Sequence, residues 1–143
     1  MKRFLILMLS IVASCGLAVA DSEVAINFSQ LPQKAQSFIT THFSQAEVSR
    51  VLKDQEDGDY DVYFNNGVKI EFTYNGEWES VNGFDITTSF APKALQNYLA
   101  QKHAAAKVVK IDRDFGDNEI EVKLNNGIEA VFDLNGNFKY YDR

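Results

Sequence analysis

The sequence predicts an α+β fold. Two tandem copies of one helix-plus-four-strand unit share a single antiparallel sheet of about eight strands, with both helices packed on one face. Three observations predict it. A set of residues recurs without gaps about sixty positions further on. Each copy opens with an apolar stripe at helical spacing. Each stripe is followed by alternating apolar and polar segments broken by Asn-Gly turns.

The repeat is read directly. Ser29, Pro32, Gln36, Ala46, Val48, Asp54, Asp57, Val62, Asn65-Asn66-Gly67, Phe72 and Asn75-Gly76 recur as Ser89, Pro92, Gln96, Ala106, Val108, Asp114, Asp117, Val122, Asn125-Asn126-Gly127, Phe132 and Asn135-Gly136. Similar pairs such as Phe38 with Tyr98 and Val51 with Ile111 extend the match. This divides the chain into a leader (1–20), an N-terminal linker (21–28), repeat 1 (29–83), a connection (84–88) and repeat 2 (89–143).

The helix of repeat 1 places Leu31, Ala35, Phe38, Ile39 and Phe43 on one face. Ser29 is the expected cap, and Pro32 in the first turn costs no hydrogen bond. In repeat 2, Leu95, Tyr98 and Leu99 form the same face after Ser89 and Pro92.

The strands follow, the first from Val48 to Lys53. Tyr60, Val62 and Phe64 then alternate with polar neighbours, as do Val68, Ile70 and Phe72. A three-residue Asn-Asn-Gly loop pairs Phe64 with Val68, Val62 with Ile70 and Tyr60 with Phe72, so every apolar side chain lands on one face. A two-residue loop would shift the register by one and break that sorting. Three residues ending in glycine suit a type I turn with a G1 bulge. The same rule in repeat 2 pairs Leu124 with Ile128, Val122 with Ala130 and Ile120 with Phe132. At the next turn, Phe72 opposes Trp78 and Phe132 opposes Phe138. Trp78 is therefore expected in the core.

The first twenty residues read as a secretory signal: Lys2 and Arg3, a short apolar run from Phe4 to Val12, and Ala18-Val19-Ala20 at the cleavage point. Val12-Ala13-Ser14-Cys15 offers a second processing route, with lipidation of Cys15. Cleavage after Ala20 places the chain in the periplasm or outside the cell, with no cysteine left and no disulfide to support the core. The formal charge is −6, and loss of Lys2 and Arg3 takes it to about −8. An acidic chain without a basic stripe argues against nucleic acid, and against anionic membrane surfaces unless Cys15 carries a lipid.

No catalytic set is evident, and no cofactor is expected. The two histidines, His42 and His103, end the predicted helices, and His103 is expected to pack at the core edge. Two histidines are too few for zinc. The acidic run Asp54 to Asp61 lacks the spacing of a calcium loop and reads as a solvated turn. Asp61 and Glu71 should face each other on the open side of the sheet, with Arg50 or Lys53 neutralising them. Lys123 should pair with Glu129. Alternation puts Tyr63, Val81, Val131 and Tyr141 on that open face, with Tyr74 at a loop tip. Tyr63, Tyr74, Val131 and Tyr141 are the candidate partner-binding residues, since tyrosines offer contact area at small entropic cost.

Leu31-Pro32 leading into Phe38-Ile39 and His42-Phe43, Asn-Asn-Gly before Ile70-Glu71-Phe72, and Asn75-Gly76-Glu77-Trp78 resemble the PepSY-like, β-lactamase-inhibitor-like proteins. These are small exported proteins of Gram-negative bacteria. Repeat 2 departs from the pattern, with Ala91 before the proline and Lys102-His103 in place of His42-Phe43. The resemblance implies a β-lactamase-inhibitor-like sheet whose open face grips a protein such as an envelope enzyme or protease. The sequence reading is thus a monomeric, non-enzymatic binding module. Its alternative is a small-ligand or divalent-cation binder of the envelope using the acidic turns or the Asp61/Glu71 pair.

Overall fold

A computed structural model describes residues 22–142. The leader, with its processing alternatives at Ala20 and Cys15, lies outside the described residues. Nine strands form one antiparallel sheet whose spatial order is the chain order. They are β1 (Glu23–Ile26), β2 (Val48–Asp54), β3 (Tyr60–Phe64), β4 (Lys69–Phe72), β5 (Trp78–Asn82), β6 (Val108–Asp114), β7 (Glu119–Leu124), β8 (Glu129–Asp133) and β9 (Phe138–Asp142). Helix α1 (Gln33–His42) precedes β2 and α2 (Lys93–Lys102) precedes β6.

The expected two-copy α+β architecture is present, with one strand more than expected. The segment read as a linker contains β1, which pairs with β2 from Glu23↔Asp54 to Ile26↔Val51. Four residues are too few to show a period, so the segment reads as a linker from sequence alone. A short 3-10 turn at Phe28–Gln30 follows.

The turn chemistry holds in both copies. Gly67, Gly76, Gly127 and Gly136 all adopt φ near +90°, as the G1-bulge reading requires. The registers Val62↔Ile70 and Tyr60↔Phe72 match expectation, as do Val122↔Ala130 and Ile120↔Phe132. Gly76 and Gly136 have a second role, because they touch the helix starts. A Cβ on Gly136 would lie 2.7 Å from Pro92 Cβ, and one on Gly76 would lie 3.0 Å from Pro32 Cβ. The repeated proline and glycine are therefore one contact that seats each helix on its sheet.

The helix caps differ from expectation. Ser29 lies in the 3-10 turn, and Pro32 occupies the N-cap of α1 without a side-chain hydrogen bond. The repeated glutamine secures the helix start instead: the Gln36 amide donates to Leu31 O and the Gln96 amide to Ala91 O, both at 2.8 Å.

The core lies between the helices and one face of the sheet. Leu31, Ala35, Ile39, Leu95 and Leu99 pack on Val62, Ile70, Phe72, Ile111, Val122 and Phe132. Trp78 is in this core, 7% exposed. Among the described residues, the opposite face carries no helix.

Two strands per copy contain a bulge. Register shifts fall between Val48 and Arg50, between Val108 and Lys110, and opposite Glu71/Phe72 and Val131/Phe132. The last two place one extra residue, Glu79 or Lys139, after the aromatic that starts the strand. An extra residue exchanges the faces of all that follow. Val81 therefore opposes Ile70 in the core, and Tyr141 opposes Ala130 on the helix side. Both were expected on the open face.

Candidate functional site

The open face is organised by the cross-strand register. One row runs Leu52, Asp61, Glu71, Ser80, Asp112, Glu121, Val131, Tyr140. The next row runs Arg50, Tyr63, Lys69, Asn82, Lys110, Lys123, Glu129, Asp142. Four carboxylates thus lie in one row and four cations in its neighbour, spanning both repeats. Strands two residues out of phase in polarity produce this arrangement: Asp-Val-Tyr on β3, Lys-Ile-Glu on β4, Lys-Ile-Asp on β6 and Glu-Val-Lys on β7.

The two rows are tied together. Lys69 Nζ lies 3.3 Å from Glu71 and 3.9 Å from Asp61. Lys110 Nζ lies 3.5 Å from Asp112, and within the second row Lys123 Nζ lies 3.9 Å from Glu129. The Ser80 hydroxyl donates to Asp112 at 2.6 Å across the junction between repeats. The expected like-charge pair Asp61↔Glu71 is present, but its neutralising cation is Lys69. Arg50 and Lys53 sit over the rings of Tyr63 and Tyr60, at 4.5 and 5.6 Å. A cation two residues along the same strand shares the face of Glu71, which makes Lys69 the nearer partner.

Burial dominates the electrostatics of the acidic row. It pushes the Asp61 carboxyl up to about 6; Lys69 pulls it down, and Glu71 pushes it further up. Burial likewise raises Asp112 against the pull of Ser80 and Lys110, and raises Glu121. A cavity of about 170 Å³ opens between the rows, lined by Lys110, Asp112, Glu121, Lys123 and Glu129.

Of the four candidate residues, Tyr63 lies on the open face, with Lys69 5.4 Å from its ring on the side chain's strand neighbour. Tyr74 is at a loop tip, 66% exposed. Val131 lies on the open face between Glu121 and Tyr140 but is fully buried, so it presents no surface. Tyr141 is on the helix side, where its hydroxyl meets Tyr98 Oη at 2.6 Å and His103 Nε2 at 3.0 Å. The bulge puts Tyr140 in the open-face position instead, 45% exposed and near Glu119. Lys123 meets Glu129 as expected, whereas sequence reasoning missed Tyr140, Ser80, Asp112 and Lys110. Reading alternation across strands as well as along them would have found the last two.

His103 packs at the edge of the core among Tyr98 and Tyr141, as expected. His42 lies between Phe38 and Phe90 and meets the Ser89 hydroxyl at 2.8 Å; burial lowers its pKa. The acidic turns satisfy backbone donors: Asp54 accepts from Glu56 N–H, Asp57 from Asp59 N–H, and Asp114 from Gly116 N–H. Among the described residues, no group of three or more His, Cys, Asp or Glu side chains is arranged to hold a metal ion.

Comparison with known proteins agrees with this architecture. The family described as "Putative beta-lactamase-inhibitor-like, PepSY-like" matches residues 58–140. A putative calcium-regulated periplasmic protein of Bacteroides thetaiotaomicron is similar at 38% identity and TM-score 0.77, over 87% of this chain and 100% of that one. A putative periplasmic protein of Bacteroides vulgatus is similar at 39% identity and TM-score 0.74, with the same coverage. Another from the same species, of unknown function, is similar at 31% identity and TM-score 0.72, over 85% of this chain and 99% of that one. No curated protein matches. With the family match spanning more than half of the chain, and with the fold reproduced in relatives at these identities, the chain belongs to the PepSY-like, β-lactamase-inhibitor-like family.

Proposed function

We propose that the chain is a non-enzymatic binding module of the periplasm, and that it recognises a protein partner through the open face of its sheet. One observation carries this reading: the acidic and basic rows that cross both repeats on a face no helix covers. Paired rows of opposite sign select a partner with the inverse pattern and reject one that meets like with like. Tyr63 and Tyr140 flank the rows as aromatic anchors, and Tyr74 stands at the turn below. The leader and the periplasmic description of the relatives support export.

The test is site-directed photocrosslinking in envelope extract. A photoreactive phenylalanine analogue at Tyr63 is compared with the same analogue at Phe84, an exposed residue of the connection. The Tyr63 probe should trap a discrete protein, and the crosslink should vanish at high salt and in a Lys110→Glu/Lys123→Glu chain. A crosslink indifferent to salt and charge, or formed equally from Phe84, overturns the reading.

A second reading is favoured by one observation. A relative with 38% identity is described as calcium-regulated, and here two carboxylates, Asp61 and Glu71, face each other. In this reading a divalent cation binds at that pair. Calcium should then raise the melting temperature, and Asp61→Asn should abolish the rise. No shift with calcium removes it.

A further inference from the structure

Three strand edges are equivalent in the repeat, namely the β5–β6 junction, the outer side of β2 and the outer side of β9, and among the described residues only that of β9 has no partner strand. At the junction, β5 receives β6 with Val81↔Ile111 and Asn82↔Lys110. At the N-terminal end, β2, the counterpart of β6, is covered by β1 with Ile26↔Val51 in the equivalent register. At the C-terminal end, β9 is the counterpart of β5, and no described strand lies on its outer side.

The junction also shows what such an edge takes. Gly83 N–H donates to Val109 O at 3.0 Å across β5 and β6. Bonded pairs alternate by two in an antiparallel ladder, so Val81 also turns its backbone groups toward β6. Its counterpart Tyr141 accordingly turns its N–H and C=O outward from β9. Beside the strand, the ring of Phe90 from repeat 2 closes over repeat 1, 5.0 Å from Trp78 and 5.2 Å from Phe38. The counterparts of those two rings, Phe138 and Tyr98, stack at 4.5 Å. Among the described residues no ring from another repeat closes over them: the ring of Tyr141 covers them in part, 4.7 Å from Phe138, and is itself 45% exposed. Asp142 stands where Asn82 faces Lys110.

We infer that the outer edge of β9 accepts an extended segment of a partner protein as a tenth, antiparallel strand. That segment places an apolar side chain opposite Tyr141 and a basic one opposite Asp142. Backbone pairing supplies the affinity, and the alternate side chains supply the selection. A second copy of this chain cannot offer its matching strand, β2, which already carries β1. The inference concerns the edge of the sheet and stands apart from the open-face reading.

The test titrates ¹⁵N-labelled chain of residues 21–143 with a synthetic peptide reproducing residues 106–114, which contains the β6 strand. Saturable amide shifts confined to β9, Tyr98 and His103, with slowed exchange of the Tyr141 amide, are expected. The same peptide with aspartate in place of its isoleucine should give none. Asp142→Lys, at an exposed position, should leave the remaining spectrum unchanged and weaken binding by up to about fivefold. No shift at millimolar peptide overturns the inference. So do shifts centred on Lys69, Lys110 and Lys123, which would instead map to the open face. Concentration-dependent dimerisation that protects Tyr141 without peptide would overturn the assignment to a foreign strand.

Discussion

The aromatic clusters under α1 and α2 occupy the same positions in the two repeats, yet they are finished differently. Under α1, Phe38, Phe72 and Trp78 are closed by Phe90, and the guanidinium of Arg113 lies 4.3 Å from the Trp78 ring. Both of those groups come from repeat 2. Under α2, Tyr98, Phe132 and Phe138 are covered by Tyr141 and His103 of their own repeat. The difference shows that repeat 1 is completed by repeat 2, whereas repeat 2 finishes itself with tyrosines and a histidine that tolerate water at their polar tips.

The sharpest way to break that comparison is to truncate the equivalent aromatics. Trp78→Ala should cost about 4 kcal/mol and Phe138→Ala about 2 kcal/mol, because Trp78 is enclosed from both repeats and Phe138 is only half-buried. Urea unfolding measures both, and equal losses would mean that the junction adds nothing to the cluster.

Next is the cation that joins the repeats. Arg113 donates to Glu77 at 3.1 Å and to Trp78 O at 2.9 Å, and is stacked between Trp78 and Phe115. Its counterpart Lys53 lies over Tyr60 alone. Arg113→Ala should cost about 2 kcal/mol, from charge-assisted hydrogen bonds lost at a half-buried site. Lys53→Ala should cost about 0.5 kcal/mol. Arg113→Lys should recover little, since one ammonium cannot reproduce the fork.

The remaining comparison concerns the open face. The folded state raises the Asp61 carboxyl from 3.8 to about 6, so the fold binds that proton more tightly than the unfolded chain does. Its stabilising contribution is complete below about pH 4 and is lost as pH rises through about 6. Asp61→Asn should therefore stabilise the protein by about 1 kcal/mol at pH 7.5, discounted for partial exposure, and change little at pH 4. Glu121→Gln should shift stability in the same direction and by less, because Glu121 is the less buried of the two carboxylates, although Asp112 opposite it also raises it. Thermal melts across this pH range test the pair.

Most of the scaffold was legible because its determinants are local. Asn-Asn-Gly set the loop length, the loop length set the register, and the register turned Trp78 inward. The bulges were not read, although they leave a trace. Val48 and Val51, Trp78 and Val81, Val108 and Ile111, and Phe138 and Tyr141 are all three apart, whereas an unbulged strand keeps its apolar face at even spacing. Reading that spacing as alternation put Val81 and Tyr141 on the wrong face. The charged rows were harder to see, because a row is a property of seven or more strands at once. Their members are single charges when the chain is read along its length.

The identity of spatial order and chain order has a kinetic consequence. Every strand pairs only with the strands before and after it in sequence, and the two connections longer than a turn, from β1 to β2 and from β5 to β6, each contain a helix. Such a topology folds rapidly for its size and opens from its ends. Native-state hydrogen exchange should rank the strands as a gradient, with β1 and β9 released first and β3 to β7 last. The molecule would then behave less like a closed globule than like a short one-dimensional stack, in which each unit steadies the next.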